Sequence, residues 1–433
     1  MQNKCPIFWI NYILNVTLHL EMKYNTYTLD NGLRIIHLPS DSQVVYCGYQ
    51  INAGTRNEEP GEEGLAHFCE HVTFKGTERR KAWHILNCLE SVGGDLNAYT
   101  NKEGTVYYSA ILKEHIARAV DLLSDIVFHS VYPQAEIDKE VEVICDEIES
   151  YNDSPAELIY DEFENILFKD SSLGHNILGT AEQVRSFTTE DALRFTRKLY
   201  RPDNAIFFAY GDIDFKKLVK LVRRALADDD SGKLAAEKLP KNYPSVGEEI
   251  AGQTIVMQKN THQAHVMIGT RAYDVNDDRR MPLYLLNNIL GGPGMNAKLN
   301  LALREHNGLV YTVESTMVAY GDTGTWSIYF GCDEHDIKRC LRLVRKELDR
   351  MMEKPLSDSQ LKAAKKQIKG QIGVACDNRE NFALDFGKSF LHYGWEKNVD
   401  CLYEQVEAIT SQQIQDVARE LFDKNRLITL IFK

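Results

Sequence analysis

Apolar positions along the chain change period repeatedly, and each change marks an element. Between Tyr24 and Leu38 they alternate on either side of Asp30-Asn31-Gly32, which predicts two short strands joined by a tight turn. A strand follows from Val44 to Ala53, then a polar loop from Gly54 to Glu63. From Gly64 the spacing turns helical and closes at Gly76, and a second helix is predicted from about Lys81 to Ser91. Gly93-Gly94 breaks the chain before a strand pair, Asn97 to Thr100 and Thr105 to Leu112. Helices are predicted over Glu114 to Phe128, over Glu136 to Tyr151 behind Pro133, and over Pro155 to Phe168. Thr188-Thr189-Glu190 caps a helix that runs to Tyr200, and a strand covers Ala205 to Ala209.

From about Asp228 to Glu249 the pattern dissolves into charged and small residues with Pro240 and Pro244, as expected of a linker. The order of elements then recurs. Strands at Gln253 to Met257 and His265 to Arg271 lead to a helix at Pro282 to Leu290, a Gly-Gly-Pro-Gly loop and a helix at Asn296 to His306. Strands at Val310 to Val318 and Gly324 to Phe330 precede helices at Asp336 to Met352 and Asp358 to Val374. Phe187-Thr188-Thr189-Glu190 through Ile206 falls on Ile409-Thr410-Ser411-Gln412 through Ile428 at one offset of 222, and Ile116 to Ile126 matches Ile337 to Leu348 at nearly the same one. The prediction is an α+β fold of two homologous repeats, each an antiparallel-rich sheet packed with helices. They span 22–230 and 250–433, with 231–249 between them and 1–21 ahead.

Composition changes the picture in three places. At 433 residues, 43% hydrophobic and 26% charged, the chain suits two ordinary globular domains, and a net charge of −13 argues against nucleic-acid binding as its main task. Nine cysteines, odd in number and without a C-x-x-C pair, point to reduced thiols. Ile7 to Leu20 is apolar but interrupted by Asn11, Asn15 and His19, too short and polar to span a membrane, and no small-residue cleavage site follows. We read 1–21 as an extraneous leader before a start at Met22. A cytoplasmic protein is then expected, or an exported one were 1–21 to act as a signal.

The candidate chemistry lies in the helix behind Gly64. His67 and His71 stand four apart and so share one helical face, and Glu70 projects beside them. This is an H-x-x-E-H pattern, found in zinc hydrolases. Cys69, two residues from His67, faces away and reads as a packing residue that makes the site sensitive to thiol reagents. The matching helix of the second repeat has no histidine pair, so only the first repeat can hold a metal. A third ligand is needed, often a glutamate. The helix after Pro133 offers Glu140 and Glu147, two turns apart and sharing a face, and spacing does not choose between them. The remaining histidines, such as His175, His262 and His265, have no ligand spacing to this site and read as structural.

H-x-x-E-H followed by this glutamate pair resembles the M16 metallopeptidases, the superfamily of insulinase, pitrilysin and the mitochondrial processing peptidase. The resemblance spans nearly all of Met22 to Lys433 and includes Gly93-Gly94-Asp95-Leu96-Asn97-Ala98-Tyr99-Thr100 and Arg304 to Tyr311. It implies one zinc ion per chain on His67, His71 and Glu147, with Glu140 as a supporting carboxylate and Glu70 as general base. Asn97, Ala98 and Tyr99 are implied to lie on an edge strand that pairs with the substrate backbone, and Arg304 and Tyr311 to complete the active site from the second repeat. It further implies peptide substrates and a dimer, with an identical or a related chain, closing as a clamshell over a chamber. The alternative from the same superfamily is a catalytically inactive structural subunit; those lose a ligand or the base, whereas this chain keeps them.

Overall fold

The computed structural model describes residues 23–227, 246–247, 249–250 and 252–433; the leader and most of the expected linker lie outside them. The first half runs β1 (Asn25–Thr28), β2 (Arg34–Pro39), β3 (Val44–Ile51), α1 (Leu65–Thr73), α2 (Ala82–Glu90), β4 (Asp95–Thr100) and β5 (Thr105–Leu112). It continues through α3 (Ile116–Phe128), α4 (Gln134–Asn152), α5 (Pro155–Leu167), α6 (Ala181–Ser186), α7 (Thr189–Leu199), β6 (Ala205–Gly211) and α8 (Phe215–Ala225). The second half runs β7 (Thr254–Met257), β8 (Ala264–Ala272), α9 (Arg280–Gly291), β9 (Val310–Ala319), β10 (Gly324–Cys332) and α10 (Ile337–Glu353). It ends with α11 (Asp358–Cys376), α12 (Arg379–Tyr393), α13 (Val399–Ala408), α14 (Ser411–Leu421) and β11 (Ile428–Phe432).

The fold is α+β, and its two sheets are copies. The first has the order β1-β2-β6-β3-β5-β4 and the second β7-β11-β8-β10-β9. In each, one parallel pair (β2 with β6, β7 with β11) is followed by antiparallel pairs out to the edge. Among the described residues, only β1 has no counterpart. The sequence offset holds through the helices that close each repeat. Thr188 and Thr410 both accept from the backbone three residues on and complete a capping box. Tyr107 packs on Tyr200 as Trp326 packs on Phe422. It slips by two in the strands that follow. Gly48 lies opposite Tyr108 and Phe208, whereas Gly269 lies opposite Ser327 and Ile428, so the strand counterpart of Ile428 is Phe208 rather than Ile206.

One face of each sheet is covered by helices of its own half. Cys47, Tyr49 and Ile51 of β3 pack with Phe68 of α1 and Leu123 of α3, and Ile268 and Trp326 pack with Leu286 of α9 and Val344 of α10. The other faces are covered by exchange. Leu158, Ile159, Phe163 and Leu167 of α5 pack on Met267, Leu430 and Phe432 of the second sheet. Phe382, Ala383, Phe386 and Leu391 of α12 pack on Ile36, Val106 and Phe208 of the first. Arg34 of β2 donates to the carbonyls of Phe390 and Leu391, both at 2.9 Å, and Arg271 of β8 donates to the Leu167 carbonyl at 2.8 Å. Each half thus supplies the helix that seals the other. The sequence pattern did not reveal α6, α8, α12 or α13.

Candidate metal centre

Helix α1 starts at Gly64 and buries Leu65, Ala66, Phe68, Cys69 and Val72 in the core of the first half. That leaves His67, Glu70 and His71 on the flank that faces α4 and β4. Helix α4 buries Ile137, Val141, Ile144 and Ile148, and this stripe turns Glu140 and Glu147 toward α1.

The two glutamates contact opposite sides of His71. Its Nδ1 lies 3.0 Å from Glu140 Oε1, and its Nε2 lies 3.2 Å from Glu147 Oε2. Glu147 Oε2 is also 3.8 Å from His67 Nε2. One ligand atom from each of His67, His71 and Glu147 therefore lies within 4.8 Å of the others. Glu140, largely buried, is held on its second oxygen by Lys75 Nζ at 2.5 Å. Burial works against the Glu140 carboxylate, but His71 and Lys75 outweigh it and hold its pKa below the usual range.

This donor set fits a zinc ion: two imidazole nitrogens and a carboxylate, the last with its side chain still 45% exposed. Donation from His71 Nδ1 to Glu140 leaves its Nε2 lone pair facing Glu147 and His67, the arrangement that orients a ligating histidine. Burial first, and His71 next, pull the His67 pKa down to about 4, so its ring is neutral at pH 7. Burial also lowers that of His71, but the bonds to Glu140 and Glu147 outweigh it and raise the pKa to about 9. The raised pKa marks Nε2 as a position where positive charge is well compensated, and a metal ion there would take the place of that proton. Burial pushes the Glu70 carboxyl up, while the bond from Thr100 Oγ1 to Glu70 Oε2, 2.6 Å, pulls the other way.

Thr100 ends β4, and among the described residues β4 is an edge strand paired only with β5. Asn97 is exposed, Ala98 and Tyr99 are half-buried, and the Tyr99 ring packs edge-on against Tyr108. The free edge therefore runs directly past Glu70.

Arg304 and Tyr311 lie elsewhere. Arg304, in a π-helical turn at Asn300–Glu305, has its guanidinium 5.5 Å from the Tyr311 ring centre, and Tyr311 is 83% exposed. Both line a cavity of about 890 Å³ in the second half whose walls include none of the cluster residues. That cavity is the counterpart of the metal cleft. Matching the buried positions of α9 to those of α1 puts Tyr284, Asn287 and Asn288 where His67, Glu70 and His71 stand. Counting from Pro133 and Ser357, which precede α4 and α11, puts Gln371 at the place of Glu147. All four line the cavity. None is a histidine or a carboxylate.

Two family descriptions match the chain in succession: insulinase (peptidase family M16) over residues 35–181 and the peptidase M16 inactive domain over 186–368. An uncharacterized zinc protease of Streptomyces coelicolor is 32% identical over 409 residues, covering 93% of this chain and 88% of that protein. The chain belongs to the M16 peptidase family. A second uncharacterized zinc protease, from Bacillus subtilis, is 30% identical over 407 residues, covering 94% of this chain and 97% of that one. In fold, this M16 chain is similar to a protease from Helicobacter pylori, with a TM-score of 0.86 at 21% identity over 95% of this chain and all of that one. It is also similar to a peptidase M16 inactive domain from Pseudomonas fluorescens, with a TM-score of 0.84 at 16% identity. The candidate metal cluster lies wholly within 35–181, whereas the counterpart cavity is lined partly from 186–368 and partly from residues beyond it, Gln371 among them.

One expectation changes. Cys69 is fully buried and burial holds its thiol protonated, so it is poorly placed to react with thiol reagents. His175 is tied to Glu58 at 2.8 Å, a partner within the loop that the sequence pattern marked only as polar. Among the described residues, no helix is long and apolar enough to cross a membrane.

Proposed function

We propose that this M16 chain is a zinc-dependent endopeptidase acting on unfolded peptides. The convergence of His67 Nε2, His71 Nε2 and Glu147 Oε2 beside the buried Glu70 carries the reading. A zinc ion held there supplies a Lewis acid that polarises a peptide carbonyl and acidifies water. Glu70, its pKa raised by burial, takes a proton from the attacking water and passes it to the leaving amine. The free edge of β4 offers main-chain hydrogen bonds to an extended peptide of any sequence, with Asn97, Ala98 and Tyr99 alongside the scissile region. A chamber closed over the site would exclude folded proteins, which favours unfolded substrates.

Arg304 and Tyr311 are paired and solvent-facing, with no contact to the cluster in their own chain. We place them in trans: two chains close over a chamber, and Tyr311 of one donates its hydroxyl to the oxyanion formed at the other's site. Digestion of a peptide mixture, read by mass with and without a chelator, tests the main reading. Cleavage that stops with chelator and returns with zinc is expected. A chain that retains zinc yet leaves every peptide intact would instead be the inactive structural subunit. The trans arrangement predicts that mixing Glu70→Gln and Tyr311→Phe chains restores one working site per dimer; no recovery on mixing counts against it.

A further inference from the structure

The first turn of α1 is not capped by its own sequence. Its N-cap residue is Gly64, which has no side chain to accept from the free N–H groups. Glu58 does this from outside the helix. Its side chain is fully buried; Oε1 accepts from Ala66 N at 2.7 Å, and Oε2 accepts from Gly64 N at 3.1 Å and from His175 Nε2 at 2.8 Å. Ala66 is the residue before His67. A carboxylate at this helix end also meets the positive end of the helix dipole.

The loop that carries His175 touches α1 by its backbone as well. Gly64 (φ +96) and Gly179 (φ +66) meet so closely that a Cβ on Gly64 would sit 2.7 Å from the Leu178 oxygen, and one on Gly179 2.2 Å from the Glu63 oxygen. The same loop reaches the substrate-edge strand. Lys102, in the turn after β4, donates to the His175 carbonyl oxygen, and its neighbour Glu103 accepts from Arg56 at 2.8 Å. Three pieces of chain thus meet at Glu58 and His175: the start of α1, the turn after β4, and the loop behind α5.

We propose that Glu58 and His175 form a buried clamp that sets α1 against the turn after β4 and so fixes where His67 and Glu70 stand relative to the peptide edge. Neither contacts the metal cluster; both are positioning residues acting through α1. The proposal rests on reading His67, Glu70, His71 and Glu147 as a zinc peptidase site. The helix is only nine residues long, so a small change at its start is carried to His67 one residue beyond the capped Ala66.

The test uses the full chain with Glu58→Ala, Glu58→Gln, His175→Ala and the double alanine variant. Zinc affinity is measured by competition with a chromophoric chelator, alongside the melting temperature of the metal-free chain and kcat and KM on a peptide. Each alanine variant should bind zinc about tenfold or more weakly, the range seen when residues that orient a ligand are removed. kcat should fall more than KM changes. The double variant should be no worse than the poorer single one, because one clamp is lost once. Glu58→Gln, which keeps one acceptor oxygen, should recover part of the affinity. It also serves, with His175→Ala, if Glu58→Ala does not fold. Lowered melting temperature with wild-type zinc affinity and kcat would show a mere helix cap and overturn the clamp. Weakened zinc binding in variants of a chain that cleaves nothing would sink the peptidase reading and leave the clamp standing. A wild-type chain that binds no zinc overturns both.

Discussion

Glu70 and Glu147 both stand beside His71, yet their surroundings push them in opposite directions. Burial raises the Glu70 carboxyl, whereas the bond to His71 lowers that of Glu147. A carboxyl that holds its proton more readily suits proton transfer, and one kept anionic suits a metal ligand. Glu70→Gln should therefore keep its zinc through dialysis while kcat falls by about 10²- to 10⁴-fold, the share general-base catalysis commonly supplies. Glu147→Gln should lose zinc and activity together. Equal zinc loss in both would mean that the roles are not divided in this way. At this scale the helical spacing was enough to find His67, Glu70 and His71. It left Glu140 and Glu147 open because two turns of α4 return both to the same side, and only the approach of α4 puts one on Nδ1 and the other on Nε2. Glu58 and His175 were illegible. Their bond joins residues 117 positions apart across two irregular loops, and no periodicity encodes that.

The exchange of α5 and α12 is the least legible part of the fold and the part with the clearest energetic consequences. The buried positions of α12 do have helical spacing, but Gly387 sits among them, and mid-helix glycine lowers helix propensity. The sheet explains it: a Cβ at 387 would lie 2.6 Å from Gln50 Nε2, so a larger residue would push that amide off its 2.8 Å bond to the Leu384 carbonyl. Phe386, fully buried against Tyr24, Phe208 and Tyr210, should cost about 3–5 kcal/mol as Phe386→Ala, read from urea unfolding. A loss under about 1 kcal/mol would mean that α12 is not holding the first sheet. His392, nearer the helix end, gives the docking a pH dependence. Burial first, then the charges of Lys388 and Arg34, lower its pKa to about 4 against about 6.5 in an unfolded chain. The unfolded state thus binds more protons between those values, so the contribution is complete above about pH 6.5 and is lost as pH falls toward 4. It amounts to roughly 3 kcal/mol at most. His392→Gln should flatten the stability difference between pH 7 and pH 5 relative to wild type. Parallel profiles for the two chains would remove His392 as the cause.

Two copies of one α+β unit were legible from register alone, since the capped helices at Thr188 and Thr410 repeat with matching aromatic residues behind them. Register does not say which sheet a helix covers, and the halves read as units that could fold side by side. The exchange makes a different whole. Leu158, Ile159, Phe163 and Leu167 belong to the core of the second sheet, and Phe382, Phe386 and Leu391 to that of the first. Each such side chain contributes roughly 1.5–3 kcal/mol on burial, and every one would be exposed if the halves parted. The carbonyl bonds from Arg34 and Arg271 would break as well. A chain cut at a protease site introduced between residues 231 and 245 should therefore elute as one species at micromolar concentration and retain its zinc affinity. The fragments should part only in denaturant, and neither should refold alone to a soluble monomer. Separate, folded fragments after cleavage would show that the exchanged helices are ornament to two self-sufficient domains. A complex that stays together but loses zinc would place the dependence in the joining segment instead, because the metal cluster itself is built wholly from the first half.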